Sequence, residues 1–132
     1  MDRPWKILIV EDDDSVQISL EAHFEYKGYA VLAAESAEDA INMIKNESPD
    51  AAIVDLRLPG MDGEALIRKI HTMFPNTVCI IFTGSVEFDI PPDLKQLAVI
   101  SSKVFFKPVD DLNVISDEVT RLLNSLKENS GF

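Results

Sequence analysis

Short apolar runs alternate with longer segments of helical period along the chain, and that alternation constrains the fold more than any single residue. The runs are Ile7-Leu8-Ile9-Val10, Ala30-Val31-Leu32-Ala33, Ala51-Ala52-Ile53-Val54, Val78 to Phe82, and Val104-Phe105-Phe106. Each is continuous rather than alternating in polarity, which is how a strand covered on both faces reads. Between them, Val16, Leu20, His23 and Phe24 share one helical face, and Ala37, Ala40, Ile41 and Ile44 a second. Leu66, Ile70, Met73 and Phe74 share a third, and Ile115, Val119, Leu122 and Leu126 the last. Asp14 with Gln17 three residues on, and Ser36 with Asp39 three on, are placed to start the first two helices. Gly28, Pro49 and Pro75 punctuate helix ends. Pro91-Pro92 bars a helix across the pair, so a short fourth helix is expected from Asp93 to about Ser101, and a final one reaching about Glu128.

Strands alternating with helices in this way predict an α/β fold of (βα)5 type, a doubly wound parallel sheet joined by right-handed crossovers. At 132 residues, with no repeat, linker or low-complexity stretch, the expectation is one domain over 1–132. The formal net charge of -11 repels phosphate polyanions, so direct contact with nucleic acid is not expected. Cys79 is the only cysteine, which excludes an intramolecular disulfide, and its apolar setting predicts a buried, inert thiol. No secretory leader is legible, and no apolar stretch approaches the roughly 20 residues of a membrane span. The expectation is a cytoplasmic protein without membrane insertion.

Ligands of open α/β sheets bind beyond the carboxyl ends of the strands. After the first run comes Glu11-Asp12-Asp13-Asp14; Asp55 follows the third, Thr83-Gly84-Ser85 the fourth, and Lys107-Pro108 the fifth. Glu35, after the second, falls outside the group if that strand is an edge. Taken singly, each has an ordinary reading. Asp13 and Asp14 solvate a loop or cap a helix, Thr83 ends a strand, Lys107 sits on the surface, and Asp62 caps the third helix. Taken together, they place several carboxylates, a hydroxyl and a lysine at one sheet edge. Crowded carboxylates oppose one another's ionisation, and a hard cation or an ammonium relieves this. Magnesium takes one or two carboxylates and phosphate oxygens in octahedral geometry, which suits Glu11, Asp12 and Asp55, with Lys107 as the further positive charge.

These segments resemble the receiver domains of bacterial two-component response regulators. Ile7-Leu8-Ile9-Val10-Glu11-Asp12-Asp13 is similar to their acidic-pair strand, and Asp55-Leu56-Arg57-Leu58-Pro59-Gly60-Met61-Asp62-Gly63 to the loop after their phosphoacceptor. Ile81-Phe82-Thr83-Gly84 and Phe106-Lys107-Pro108 complete a resemblance that covers essentially the whole chain. It implies a flavodoxin-like fold with strand order 2-1-3-4-5, in a stand-alone receiver with no output domain. It implies that Asp55 takes a phosphoryl group from a phosphohistidine on a sensor histidine kinase or phosphotransfer protein. Asp12 would ligate Mg2+ directly, Glu11 through water, and Arg57 through its backbone carbonyl. Thr83 would donate its hydroxyl to the bound phosphoryl group and Lys107 would pair with one of its oxygens. The Lys107-Pro108 bond would be cis, and Arg57 and Ser85 would flank the phosphate. The signal would pass to a downstream effector protein by contact, with no enzymatic activity beyond self-phosphorylation and slow autodephosphorylation.

Two positions depart from the family's pattern. Val104 stands where an aromatic residue or histidine is usual, three before the lysine, and Pro91-Pro92 precedes the short fourth helix. Both bear on the surface that relays the signal rather than on the pocket. The competing readings are a docking receiver that no longer uses phosphate and a haloacid-dehalogenase-like phosphatase, whose Asp-x-Asp motif Asp12-Asp13-Asp14 superficially matches. An EF-hand and a phosphate-binding glycine loop both lack their spacing. His23 and His71 are expected to lie on helices without partners.

Overall fold

The structure is a computed structural model that describes residues 3–85 and 89–130. The elements run β1 (Lys6–Val10), α1 (Asp14–Tyr26), β2 (Ala30–Ala34), α2 (Ala37–Ile44), β3 (Ala51–Val54) and α3 (Gly63–Met73). They continue with β4 (Val78–Thr83), α4 (Pro92–Lys95), β5 (Ile100–Phe106) and α5 (Asn113–Ser130). The five strands form one parallel sheet in the order β2-β1-β3-β4-β5, the topology the resemblance implies.

Strand alternation divides the apolar runs between two cores. Leu8, Val10, Ala52, Val54, Cys79 and Ile81 face α2, α3 and α4, packing with Ile44, Leu66, Ile70 and Leu94. Ile7, Ile9, Ala51, Ile53, Ile80 and Phe82 face α1 and α5, meeting Leu20, Phe24, Ile115 and Val119. Each fully buried aliphatic side chain contributes about 1.5–3 kcal/mol of transfer free energy. With helices on both faces, the carboxyl edge of the sheet is where backbone and side chains from several strands emerge together.

The ends of α1 show how the local signals work and where they mislead. Its N-cap is Asp13, not Asp14: Asp13 has extended backbone and its Oδ1 accepts the N–H groups of Ser15 at 3.0 Å and Val16 at 3.2 Å. Asp14 is the first helical residue, so Gln17 is not the reciprocal partner of a capping box. At the other end Gly28 takes φ +94°, its N–H bonds Glu25 O and that of Tyr29 bonds Phe24 O, the paired bonds of a Schellman cap. Ser36 and Asp62 cap α2 and α3 as the sequence suggests, accepting from the N–H groups of Asp39 and Ala65.

The segment before β5 differs from expectation. α4 is one turn, Pro92–Lys95, with Pro91 as N-cap and Pro92 at the first position, where a missing N–H has no consequence. It is tied to α3 by a forked pair, Arg68 to Asp93 at 2.9 and 3.1 Å. β5 begins at Ile100 rather than Val104, and its pairing with β4 shifts register between Cys79 and Ile81. Ser101-Ser102-Lys103 is polar and carries no strand signal, so the sequence predicts a fourth helix reaching about Ser101 instead. Ser101 is nonetheless buried, donating to Glu118 Oε2 on α5 at 2.6 Å. His23, expected to be alone, has its Nε2 2.9 Å from Ser116 Oγ, which joins α1 to α5.

Candidate functional site

Parallel register brings the chemistry together. Val10 and Val54 are paired, so Glu11 and Asp55 leave adjacent strands side by side. The Asp55 N–H bonds Val10 O at 3.1 Å and the Glu11 N–H bonds Ala34 O at 3.0 Å, extending the ladder one residue past each strand. Both side chains point inward, at 2% and 5% residual exposure for Glu11 and Asp55, while Asp12 is exposed. One carboxylate oxygen from each of Glu11, Asp12 and Asp55 lies within 4.8 Å of the others.

Lys107 closes the group from β5. Its N–H bonds Thr83 O at 2.9 Å, which holds the residue at the edge. Its ammonium sits 2.5 Å from Glu11 Oε1 and 2.9 Å from Asp55 Oδ2, and 5.6 Å from the centre of the Phe82 ring. Burial pushes the Glu11 carboxyl above its usual range despite the Lys107 contact. Burial opposes the Lys107 charge, but its hydrogen bonds to Glu11 and Asp55 prevail and hold its pKa above that of a free lysine. The Lys107-Pro108 bond is cis.

Thr83, at the end of β4, is fully buried, and its Oγ1 accepts the Ser85 N–H at 3.1 Å. The Arg57 N–H donates to Asp55 Oδ1 at 3.2 Å, and the Arg57 guanidinium reaches Ser85 Oγ at 3.4 Å across the mouth of the site. Glu11, Asp55 and Lys107 are thus in direct contact, with Asp12 beside them.

Two supporting residues carry no chemical signal in the sequence. A Cβ on Gly63 would lie 2.3 Å from Asp55 O and 2.7 Å from Leu56 Cα, so only glycine lets α3 start this close to the end of β3. Glu38, on α2, accepts the Met61 N–H at 3.1 Å and anchors the loop after Asp55 beside Gly60, where φ is +77°. The donor set is all oxygen, clustered and anionic, with Asp12 exposed. It fits a hard divalent cation such as Mg2+.

A parallel sheet in this order, with buried carboxylates and a lysine at its carboxyl edge, defines a receiver-type signalling fold. The chain belongs to the response regulator receiver domain family, whose pattern matches residues 7–120, and it is a phosphorylation-activated signalling receiver. It is similar to sporulation initiation phosphotransferase F of Bacillus subtilis (strain 168), 33% identical over 124 residues that cover 94% of this chain and 97% of that protein. Among solved structures it is similar to a response regulator receiver domain protein from Methanospirillum hungatei JF-1, with TM-score 0.83 and 27% identity, covering 96% and 99% of the two chains. A sensor protein from Polaromonas sp. JS666 matches with TM-score 0.76 and 26% identity over 94% and 98%. Further curated relatives are longer, and the chain spans only 27% to 40% of those at the two ends of that range. Among the described residues no helix is long and apolar enough to cross a membrane.

Proposed function

We propose that Asp55 is the phosphoacceptor, taking a phosphoryl group from a phosphohistidine of a sensor histidine kinase or phosphotransfer protein. The observation that carries this is the burial of Asp55 against Lys107, with carboxylate oxygens of Glu11 and Asp12 within 4.8 Å. An Asp55 oxygen attacks phosphorus, the O–P bond forms as the N–P bond of the donor breaks, and the imidazole leaves with its electron pair. A carboxylate is a weak nucleophile, so the acceleration comes from position and charge. Asp12 and Asp55, the Arg57 carbonyl, and Glu11 through water would hold Mg2+, which supplies charge neutralisation for the phosphoryl oxygens. Lys107, already 2.9 Å from Asp55, pairs with a phosphoryl oxygen, and the Thr83 hydroxyl turns from Ser85 to donate to another.

The product carries roughly -1.5 to -2 charges at one point, by analogy with other phosphorylated side chains. Thr83 and Lys107 follow that charge, which alters the β4–β5 side of the molecule and the effector protein docked there. Val104 is half-buried against the α2–α3 core, so the response there is a packing change rather than rotation of an aromatic ring. On this reading residues 1–132 act as one receiver domain in the cytoplasm. It has no substrate beyond its own phosphoryl group, and its net charge of -11 disfavours direct contact with nucleic acid.

A small acyl-phosphate donor with Mg2+ tests the chemistry by intact and peptide mass spectrometry. One phosphoryl group is expected on Asp55, absent in Asp55→Asn and after chelation of the metal. A label that persists in Asp55→Asn, or forms equally well with the metal chelated, would overturn the assignment.

A further inference from the structure

The side chain of Gln17 does not serve the start of α1, where its spacing from Asp14 had placed it. It is partly buried, and its Nε2 donates to Glu11 O at 3.0 Å and to Ala34 O at 3.1 Å. A primary amide has two N–H donors on one planar nitrogen, so a single group serves both carbonyls. These carbonyls lie at the carboxyl ends of β1 and β2. Ala34 O also receives the Glu11 N–H, which puts the Glu11 peptide units on either side under hydrogen-bond restraint. The Glu11 carboxylate meanwhile accepts the Asp13 N–H at 3.1 Å. The turn that carries Glu11 and Asp12 is therefore held from three sides, and Gln17 is the only one of these restraints made by a side chain outside the turn and the strands.

We infer that Gln17 is a positioning residue for the acidic pair, fixing the backbone from which Glu11 and Asp12 reach the metal. The inference rests on the proposed Mg2+ site and extends it to a residue that touches neither metal nor phosphoryl group. The physical reason is that a carboxylate on a loose turn loses part of its binding free energy in ordering that turn, whereas a clamped one does not. Residues that orient metal ligands from behind typically change affinity 10- to 100-fold when removed.

Gln17→Met keeps the length of the side chain and removes both donors without adding charge. Its Mg2+ Kd by calorimetry is expected to weaken about 10-fold. In metal-free protein, hydrogen exchange at the Glu11 amide is expected to accelerate. Gln17→Arg restores donors and is expected to recover most of the affinity in spite of its positive charge. Thr120→Val removes the 2.9 Å contact of Tyr29 with Thr120 at the opposite edge of the sheet. It should lower thermal stability with no effect on Kd, which separates positioning from general destabilisation. A Gln17→Met protein that binds Mg2+ within twofold of the native protein, with unchanged exchange at Glu11, overturns the inference while leaving the metal site intact. A native protein that binds no Mg2+ overturns the metal site itself and the role of Gln17 with it.

Discussion

At the scale of single residues, the site depends as much on what is absent as on what is charged. Gly63 has no side chain because Asp55 O and Leu56 Cα occupy that space. Gly63→Ala is expected to destabilise the protein by about 1–3 kcal/mol, the usual range for overpacking, and to slow phosphorylation by displacing Asp55. Thermal denaturation and acyl-phosphate labelling read the two effects, and a variant with native Tm would remove the steric account. Lys107 has the complementary role, because Glu11 is buried and has the lysine as its ion-pair partner. In Lys107→Met, burial acts on Glu11 unopposed by that cation, so its carboxyl should titrate at still higher pH than in the native protein. Carboxyl carbon shifts against pH would show this, and an unmoved midpoint would mean that Lys107 does little for Glu11. Asp55, Glu11 and Lys107 could be singled out from sequence only jointly, because each directly follows an apolar run read as a strand. Gly63 and Glu38 could not, since their importance is only a matter of distance.

Among elements, α2 and α5 offer contrasting predictions. Ser36→Ala removes the acceptor for the Asp39 N–H and should cost about 1 kcal/mol, visible as a lower urea midpoint. The tether between α5 and β5 is larger. Glu118 accepts from Ser101 at 2.6 Å and from Arg121 at 2.8 and 2.9 Å, and it is buried. Glu118→Ala strands the buried Ser101 hydroxyl, with an expected loss of about 1–3 kcal/mol by chemical denaturation. A loss below about 0.5 kcal/mol would show that Ser101 finds another partner. This tether also explains why the start of β5 was illegible. Two serines and a lysine carry no strand signal, and only the carboxylate of α5, seventeen residues later, makes Ser101 a buried strand position. Likewise His23 gains its partner from Ser116, across the α1–α5 contact.

For the whole molecule, opposing shifts set the dependence of stability on pH. Burial would raise Asp50, but the bonds from Arg3 and the Lys6 amide prevail and pull it below its ordinary value. The Arg121 bond pulls Glu118 down despite burial. Both carboxylates bind fewer protons folded than unfolded, so their stabilisation is present above the ordinary carboxylate range and is lost as pH falls through the folded values. Glu11 is shifted the other way, so its share of stability declines as pH rises just above the ordinary range. Urea midpoints should therefore fall on acidification below about pH 4, the ordinary aspartate and glutamate range, and Asp50→Asn with Glu118→Gln should flatten that limb. An unchanged slope would place the acid sensitivity elsewhere. The sequence by itself determined the number of strands, the two-sided covering of the sheet, and which carboxylates and which lysine stand at strand ends. Those properties follow from local periodicity and strand direction, which are written residue by residue. Tertiary structure alone decided the register that sets Glu11 beside Asp55, that Gly63 must be bare, and that Gln17 bonds two carbonyls at the acidic turn. Each of these depends on a register or a distance between segments far apart in the chain, and no local pattern encodes a distance. The acidic cluster was thus legible in its charges, while the scaffold that aims those charges became visible only in the packed molecule.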